Sequence, residues 1–122
     1  MAKTSVIFFG SFQHYSTLVL EALHQAAHIQ VLGVVSTPSP TPTHTHLWAR
    51  QHQIPVVTPT ALGKIDFPSV DFFVVAGYRM LLPPSWLAFP RLAPLNIHPS
   101  LLPQYPGPAP VEWTLLNGET HT

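Results

Sequence analysis

Apolar positions along this chain follow two rhythms. "SVIFFG", Ser5 to Gly10, is an unbroken β-branched and aromatic run that ends at glycine. Such a run predicts a strand buried on both faces, which points to a parallel sheet. From Tyr15 to Ala27 the spacing changes to threes and fours, with Tyr15, Leu18, Val19, Ala22, Leu23 and Ala26 on one side. That is the stripe of an amphipathic helix. "IQVLGVVST", Ile29 to Thr37, returns to the first rhythm and predicts a second buried strand. Strand, helix and strand make a right-handed crossover unit.

The polar stretch Ser36 to Thr45, "STPSPTPTHT", carries prolines at 38, 40 and 42 and is expected to be an exposed loop. "HLWARQHQI" then predicts a short helix, "PVVT" a short strand and "DFFVVAG", Asp71 to Gly77, a buried one. Pro83 and Pro84 suit the opening of a helix through "SWLAF". "LAPLNI" gives a further strand ending near His98, and "PVEWTLLNG" a last helix with Gly118 as its C-cap. Strands alternating with helices define an α/β fold, a doubly wound, mostly parallel, Rossmann-like sheet in one domain.

Composition narrows the function classes. The 122 residues carry five basic and five acidic side chains, so the formal net charge is zero and no electrostatic footprint for nucleic acid or an anionic membrane surface stands out. There is no cysteine, which removes disulfides, thiolate nucleophiles and sulfur-bound zinc and makes the cytoplasm the expected location. "VIFF" after Lys3 is too short for a signal peptide, and no apolar run approaches the roughly 18 residues of a membrane span. Fifteen prolines separated by apolar runs signal many fixed connections rather than disorder.

Several motifs are absent or weak. "GSFQHYS" after the first strand has one glycine, neither a dinucleotide fingerprint nor a phosphate loop. His44 and His46 in "THTH" fall in the polar loop without a third ligand beside them, which favours a solvated loop over a metal site. His24 and His28 are expected one helical turn apart, but with "QAA" between them they read as a solvated helix edge. His14 and Tyr15 come after the first strand, where a parallel sheet opens its crevice. A substrate contact there competes with a plain loop histidine at a helix start. No metal is expected.

"LNIHPSLLPQYPG", Leu95 to Gly107, is different. Asn96 and His98 stand two apart, so in a strand their side chains share a face at roughly 6.5 to 7 Å. Pro99 biases His98 toward extended backbone, and Pro103, Pro106, Pro108 and Pro110 stiffen the loop beyond it. An amide can donate to the oxyanion of a tetrahedral adduct, and an imidazole can move a proton at neutral pH. Together they suit acyl transfer without a covalent enzyme intermediate. The alternative from the pair alone is that Asn96 caps a turn and His98 packs under the proline loop.

"NIHPSLLPQYPG" with "PAPVEWTLLNGETHT" after it resembles the folate-dependent formyltransferases, whose motif reads Asn-x-His-x-Ser-Leu-Leu-Pro with Tyr or Trp and Gly shortly after. The similarity spans nearly the whole chain. "VIFFGSFQHYSTLVLEAL" is similar to the opening strand and helix of the methionyl-tRNA formyltransferases, "VLGVVSTP" to their second strand, and "FFVVAGYRMLLP" to the strand and loop that hold the folate. Glycinamide ribonucleotide formyltransferases share "NIHPSLLP" but typically open with a glycine-rich phosphate turn that this chain lacks.

The resemblance implies transfer of a formyl group from 10-formyltetrahydrofolate to the amine of initiator methionyl-tRNA. Asn96 would steady the tetrahedral intermediate and His98 would act as general acid and base. Met80, Leu81 and Leu82, with Ser100, Leu101, Leu102 and Pro103, would line the folate pocket. The family also has an aspartate beyond the motif that holds the histidine; Asp66 and Asp71 match other positions. The catalytic set is therefore expected to continue past these residues, which read as the N-terminal part of a catalytic domain, truncated at its C-terminal side. The loop after the second strand is typically basic in the tRNA enzymes, whereas this one has no Lys or Arg before Arg50, so tRNA recognition would need that further region. Formylation of a nucleotide-linked amino sugar, and folate binding without catalysis, are the other readings.

Overall fold

A computed structural model of the chain describes residues 2–64 and 66–122. Five strands, β1 (Thr4–Phe9), β2 (Ile29–Val35), β3 (Val56–Val57), β4 (Phe72–Ala76) and β5 (Ala93–Ile97), form one sheet in the order β3-β2-β1-β4-β5. Every pairing is parallel, so the expected mostly parallel sheet is wholly so among the described residues. The helices are α1 (Gln13–Gln25), α2 (His44–Gln51), α3 (Pro84–Leu87) and α4 (Pro110–Leu116), with a 3₁₀ turn at Leu62–Lys64.

The unbroken apolar run of β1 is explained by its place at the centre. Successive side chains of a strand point to opposite faces. Val6 and Phe8 accordingly pack with Leu20 of α1 and Ala49 of α2 on one side of the sheet. Ile7 and Phe9 pack with Leu62, Val70 and Phe73 on the other, where Trp86 of α3 joins them. Phe8, Phe9 and Phe73 are wholly buried, each contributing on the order of 2–3 kcal/mol of apolar burial.

Several boundaries differ from the sequence reading, those at the histidines and at the last helix among them. α1 stops at Gln25 instead of Ala27, because Ala26 turns extended (ψ 122) and its carbonyl accepts the Ile29 N–H that leads into β2. His28 is thus off the helix, and His24 meets α2 instead, its ring 5.6 Å from that of Trp48 and 5.4 Å from that of His52. α2 begins at His44, since Thr43 caps it by accepting the His46 N–H at 3.2 Å. His44 and His46 therefore belong to a helix and not to a loop. At the last helix Asn117 is the cap and Gly118, at φ +69, lies one residue beyond.

The chain leaves β1 toward β2 and β3 and later resumes on the other flank with β4 and β5, so the strand order reverses between β1 and β4. There the loops are stitched together. Ser11 N–H donates to the Gly77 carbonyl at 3.1 Å, and the Ser16 hydroxyl donates to the Ala76 carbonyl at 2.7 Å. Glycine is required at position 10, where a Cβ would stand 2.6 Å from the Ala76 carbonyl oxygen. At the opposite, amino edge, Asp71 accepts from Ser5 N–H at 3.0 Å and from Arg91 Nε at 2.9 Å. These bonds hold its carboxyl below the usual range, the Ser5 bond first and Arg91 second.

Candidate functional site

Asn96 and His98 sit at the carboxyl end of β5. Asn96 pairs in register with Val75 of β4 and is exposed, and its side-chain amide makes no hydrogen bond among the described residues. It is a free donor on a rigid ladder. His98, half-buried, lies one residue past the strand. Its Nε2 is 2.6 Å from the carbonyl of Tyr105, which returns over it from the proline loop.

That loop is braced by its own backbone as well as by proline. Ser100 N–H donates to the His98 carbonyl at 2.9 Å, Leu102 N–H to Ser100 at 3.1 Å and Gln104 N–H to Leu101 at 3.0 Å. The Ser100 hydroxyl reaches the Gln104 carbonyl at 2.7 Å and, more weakly, that of Tyr105 at 3.3 Å. Tyr105 holds a left-handed backbone, φ +50. Its phenol donates to Glu119 Oε1 at 3.1 Å; desolvation first, and then this carboxylate, push its pKa up.

A further tie comes from across the sheet. Tyr15, at the start of α1, extends its hydroxyl to the carbonyl of Ile97, the residue between Asn96 and His98, at 3.4 Å. Burial raises the Tyr15 pKa, which keeps the phenol a neutral donor. Of the two residues read as a possible crevice contact, Tyr15 thus touches the candidate site, whereas His14 faces the ring of His44 at 5.2 Å.

The residues expected to wall a pocket are placed unevenly. Leu82 is half-buried against the core, while Met80 is 45% and Leu81 97% exposed. Leu101 and Leu102 are 55% and 60% exposed, Pro103 is exposed and Ser100 half-buried. The two segments leave neighbouring strands at the same edge, and they present apolar side chains to solvent.

Two clefts lie elsewhere on the molecule. One, of about 390 Å³, is lined by Ser11, Thr37, Pro38, Ser39, Thr43, His44 and Arg79; the other, of about 340 Å³, by His14, Thr17, Leu18, Glu21, His44 and Trp48. Sequence reasoning missed them because the first joins loops, and the second joins helices α1 and α2, that are remote in the chain. Among the described residues no three His, Cys, Asp or Glu converge as metal ligands, and no helix is long and apolar enough to cross a membrane.

A parallel doubly wound sheet carrying an amide and an imidazole at the end of one strand is the frame of a formyl transferase, and the family model of that description matches residues 2–122. The chain belongs to the formyl transferase family. Among curated relatives it is 40% identical to a methionyl-tRNA formyltransferase from Synechocystis sp., covering 100% of this chain and 41% of that protein. It is 35% identical to one from Syntrophus aciditrophicus, covering 100% and 43% respectively. Among solved structures it is similar to phosphoribosylglycinamide formyltransferase from Anaplasma phagocytophilum, at TM-score 0.75 and 26% identity over 95% of this chain and 59% of that one. The enzyme of that name from Brucella melitensis gives TM-score 0.75 at 25% identity, over 96% and 68%. The chain thus spans about two-fifths of the length of the curated relatives it matches.

Proposed function

We propose that this chain supplies the N-terminal part of a catalytic domain that moves a formyl group from 10-formyltetrahydrofolate to the amine of initiator methionyl-tRNA. The observation that carries this reading is the unpartnered Asn96 amide beside a backbone-held His98, in a chain whose relatives at 35–40% identity are named for that reaction.

The donor supplies an electrophilic formyl carbon. Asn96 offers its amide N–H to the oxyanion that develops as the acceptor amine attacks that carbon. His98 accepts the proton released from the amine and returns it to the departing donor nitrogen, so one carbon–nitrogen bond forms and one breaks. Met80, Leu81 and Leu82, with Ser100, Leu101, Leu102 and Pro103, are the apolar wall on which a flat pterin would lie. The exposure of Met80, Leu81, Leu101, Leu102 and Pro103 fits the role, since a ligand laid there would bury surface now open to water. A translation enzyme of this kind works in the cytoplasm.

A second reading keeps the chemistry and changes the acceptor to glycinamide ribonucleotide, in line with the names of the structural neighbours. The test is loss of formyl from the folate donor, measured in the complete reading frame with methionyl-tRNA, glycinamide ribonucleotide or a nucleotide-linked amino sugar as acceptor. Turnover with methionyl-tRNA alone is expected. Turnover only with another amine would overturn the acceptor, and donor binding without turnover would reduce the chain to a folate-binding module. Asn96→Ala should lower the rate by about 10² to 10³, the usual loss for an oxyanion donor.

A further inference from the structure

Which nitrogen of His98 carries the movable proton is decided by the group that stands against the ring. The partner of Nε2, at 2.6 Å, is a backbone carbonyl, which has lone pairs and no hydrogen. Nε2 must therefore be the protonated nitrogen in the neutral ring as well as in the imidazolium. The only lone pair left to the neutral ring is on Nδ1.

The carbonyl is set in place from three directions. The left-handed backbone of Tyr105, φ +50, is uncommon for a bulky residue and turns this peptide back over the imidazole. Glu119, just past α4, holds the Tyr105 phenol at 3.1 Å and so fixes the residue from its far end. Ser100, two residues after His98, shares its single hydroxyl hydrogen between the Gln104 and Tyr105 carbonyls at 2.7 and 3.3 Å. The Tyr105 oxygen thereby receives two donors, one for each lone pair.

We infer that Tyr105, Ser100 and Glu119 are positioning residues that lock His98 as its Nε2–H tautomer and assign proton transfer to Nδ1. The inference rests on the proposed role of His98 as proton carrier only for its consequence in catalysis; the tautomer stands on the geometry alone. The reacting amine must then approach the Nδ1 edge of the ring. A ring free to exchange tautomers would spend part of its time with a hydrogen where the lone pair is needed.

The test is a long-range nitrogen–proton correlation spectrum of the imidazole rings in the ¹⁵N-labelled chain, taken above the pH where histidine ionises. His98 is expected to give the pattern of a pure Nε2–H tautomer. An Nδ1–H pattern, or the averaged pattern of a mixture, would overturn the inference on the wild-type chain, whether or not any variant folds. Ser100→Ala should move His98 toward a mixture and, in the complete reading frame, reduce turnover by about 10-fold. Ser100→Thr, which keeps the hydroxyl, should restore both. Turnover in the complete frame with an Nδ1–H His98 would sink the tautomer assignment and leave the function standing. A locked Nε2–H ring without formyl transfer would do the reverse.

Discussion

Gly77 follows β4 and opens the loop toward Met80, and replacing it with alanine should be among the costliest small changes in the chain. Its φ is +65, a conformation that costs an L-residue roughly 1–2 kcal/mol. A Cβ there would also stand 2.6 Å from Ser16 Oγ, 2.8 Å from Phe12 Cβ and 3.2 Å from a ring carbon of Tyr15. Ser16 has no room to yield. It is wholly buried, accepts the Phe12 N–H at 2.9 Å and donates to the Ala76 carbonyl at 2.7 Å. Displacing it leaves buried polar groups unpaired, at about 1–3 kcal/mol. Together the two effects give about 2–5 kcal/mol. With a urea slope of roughly 1–3 kcal/mol per molar, the unfolding midpoint of Gly77→Ala should fall by about 1 M or more. Ser16→Ala separates the contributions, because removing the hydroxyl relieves the closest clash. The double variant should be more stable than the sum of the two single changes by at least about 1 kcal/mol. An additive cycle would clear Ser16 as the obstacle, and a Gly77→Ala loss below about 1 kcal/mol would refute the reasoning.

Thr43→Ala removes the side-chain acceptor for the His46 N–H and should cost about 1 kcal/mol in urea unfolding, with the first turn of α2 fraying. Asp71 governs the acid limb. Its folded pKa is depressed by Ser5 and Arg91, so its contribution is complete above the ordinary aspartate value near ~3.9 and is lost as pH falls through the lower folded value. Asp71→Asn should flatten the fall of stability across that window, and an unchanged acid limb in thermal melts would count against the Ser5–Asp71–Arg91 clamp.

The strands were legible because a sheet covered on both faces demands unbroken apolar runs, and "VIFF" and "FFVVA" could serve little else. β3 was legible as a strand, although only Val56 and Val57 pair. The helix ends were less so, for different reasons at each. "HQAAH" is good helix text, but the chain must turn at Ala26 to enter β2, and that tertiary demand overrides propensity. Thr43 is an ordinary N-cap residue hidden among prolines and polar side chains, so the loop reading ran past the helix start, through His44 and Thr45. The pair Asn96 and His98 was visible from spacing and proline placement. The group that holds His98 was not, because a backbone carbonyl leaves no mark in a sequence and Tyr105 is a residue from which a left-handed backbone is not expected.

α1 accounts for why the end of β5 is held although β5 is paired on one side only among the described residues. Ser16 fastens the helix start to Ala76 at the end of β4, and one position earlier Tyr15 crosses to the Ile97 carbonyl at the end of β5. Consecutive residues on a helix point in different directions, so a single rigid turn reaches two neighbouring strand ends. The Tyr15 bond alone is long at 3.4 Å and weak. Its effect comes from the Ser16 anchor behind it, which is short and buried. Gly77 has to be glycine to leave that anchor its room, so the backbone freedom of one residue after β4 reaches, through Ser16 and Tyr15, the carbonyl of Ile97 between Asn96 and His98. The fold and the candidate site therefore share this corner of the molecule, and a change that loosens α1 there loosens the candidate site as well.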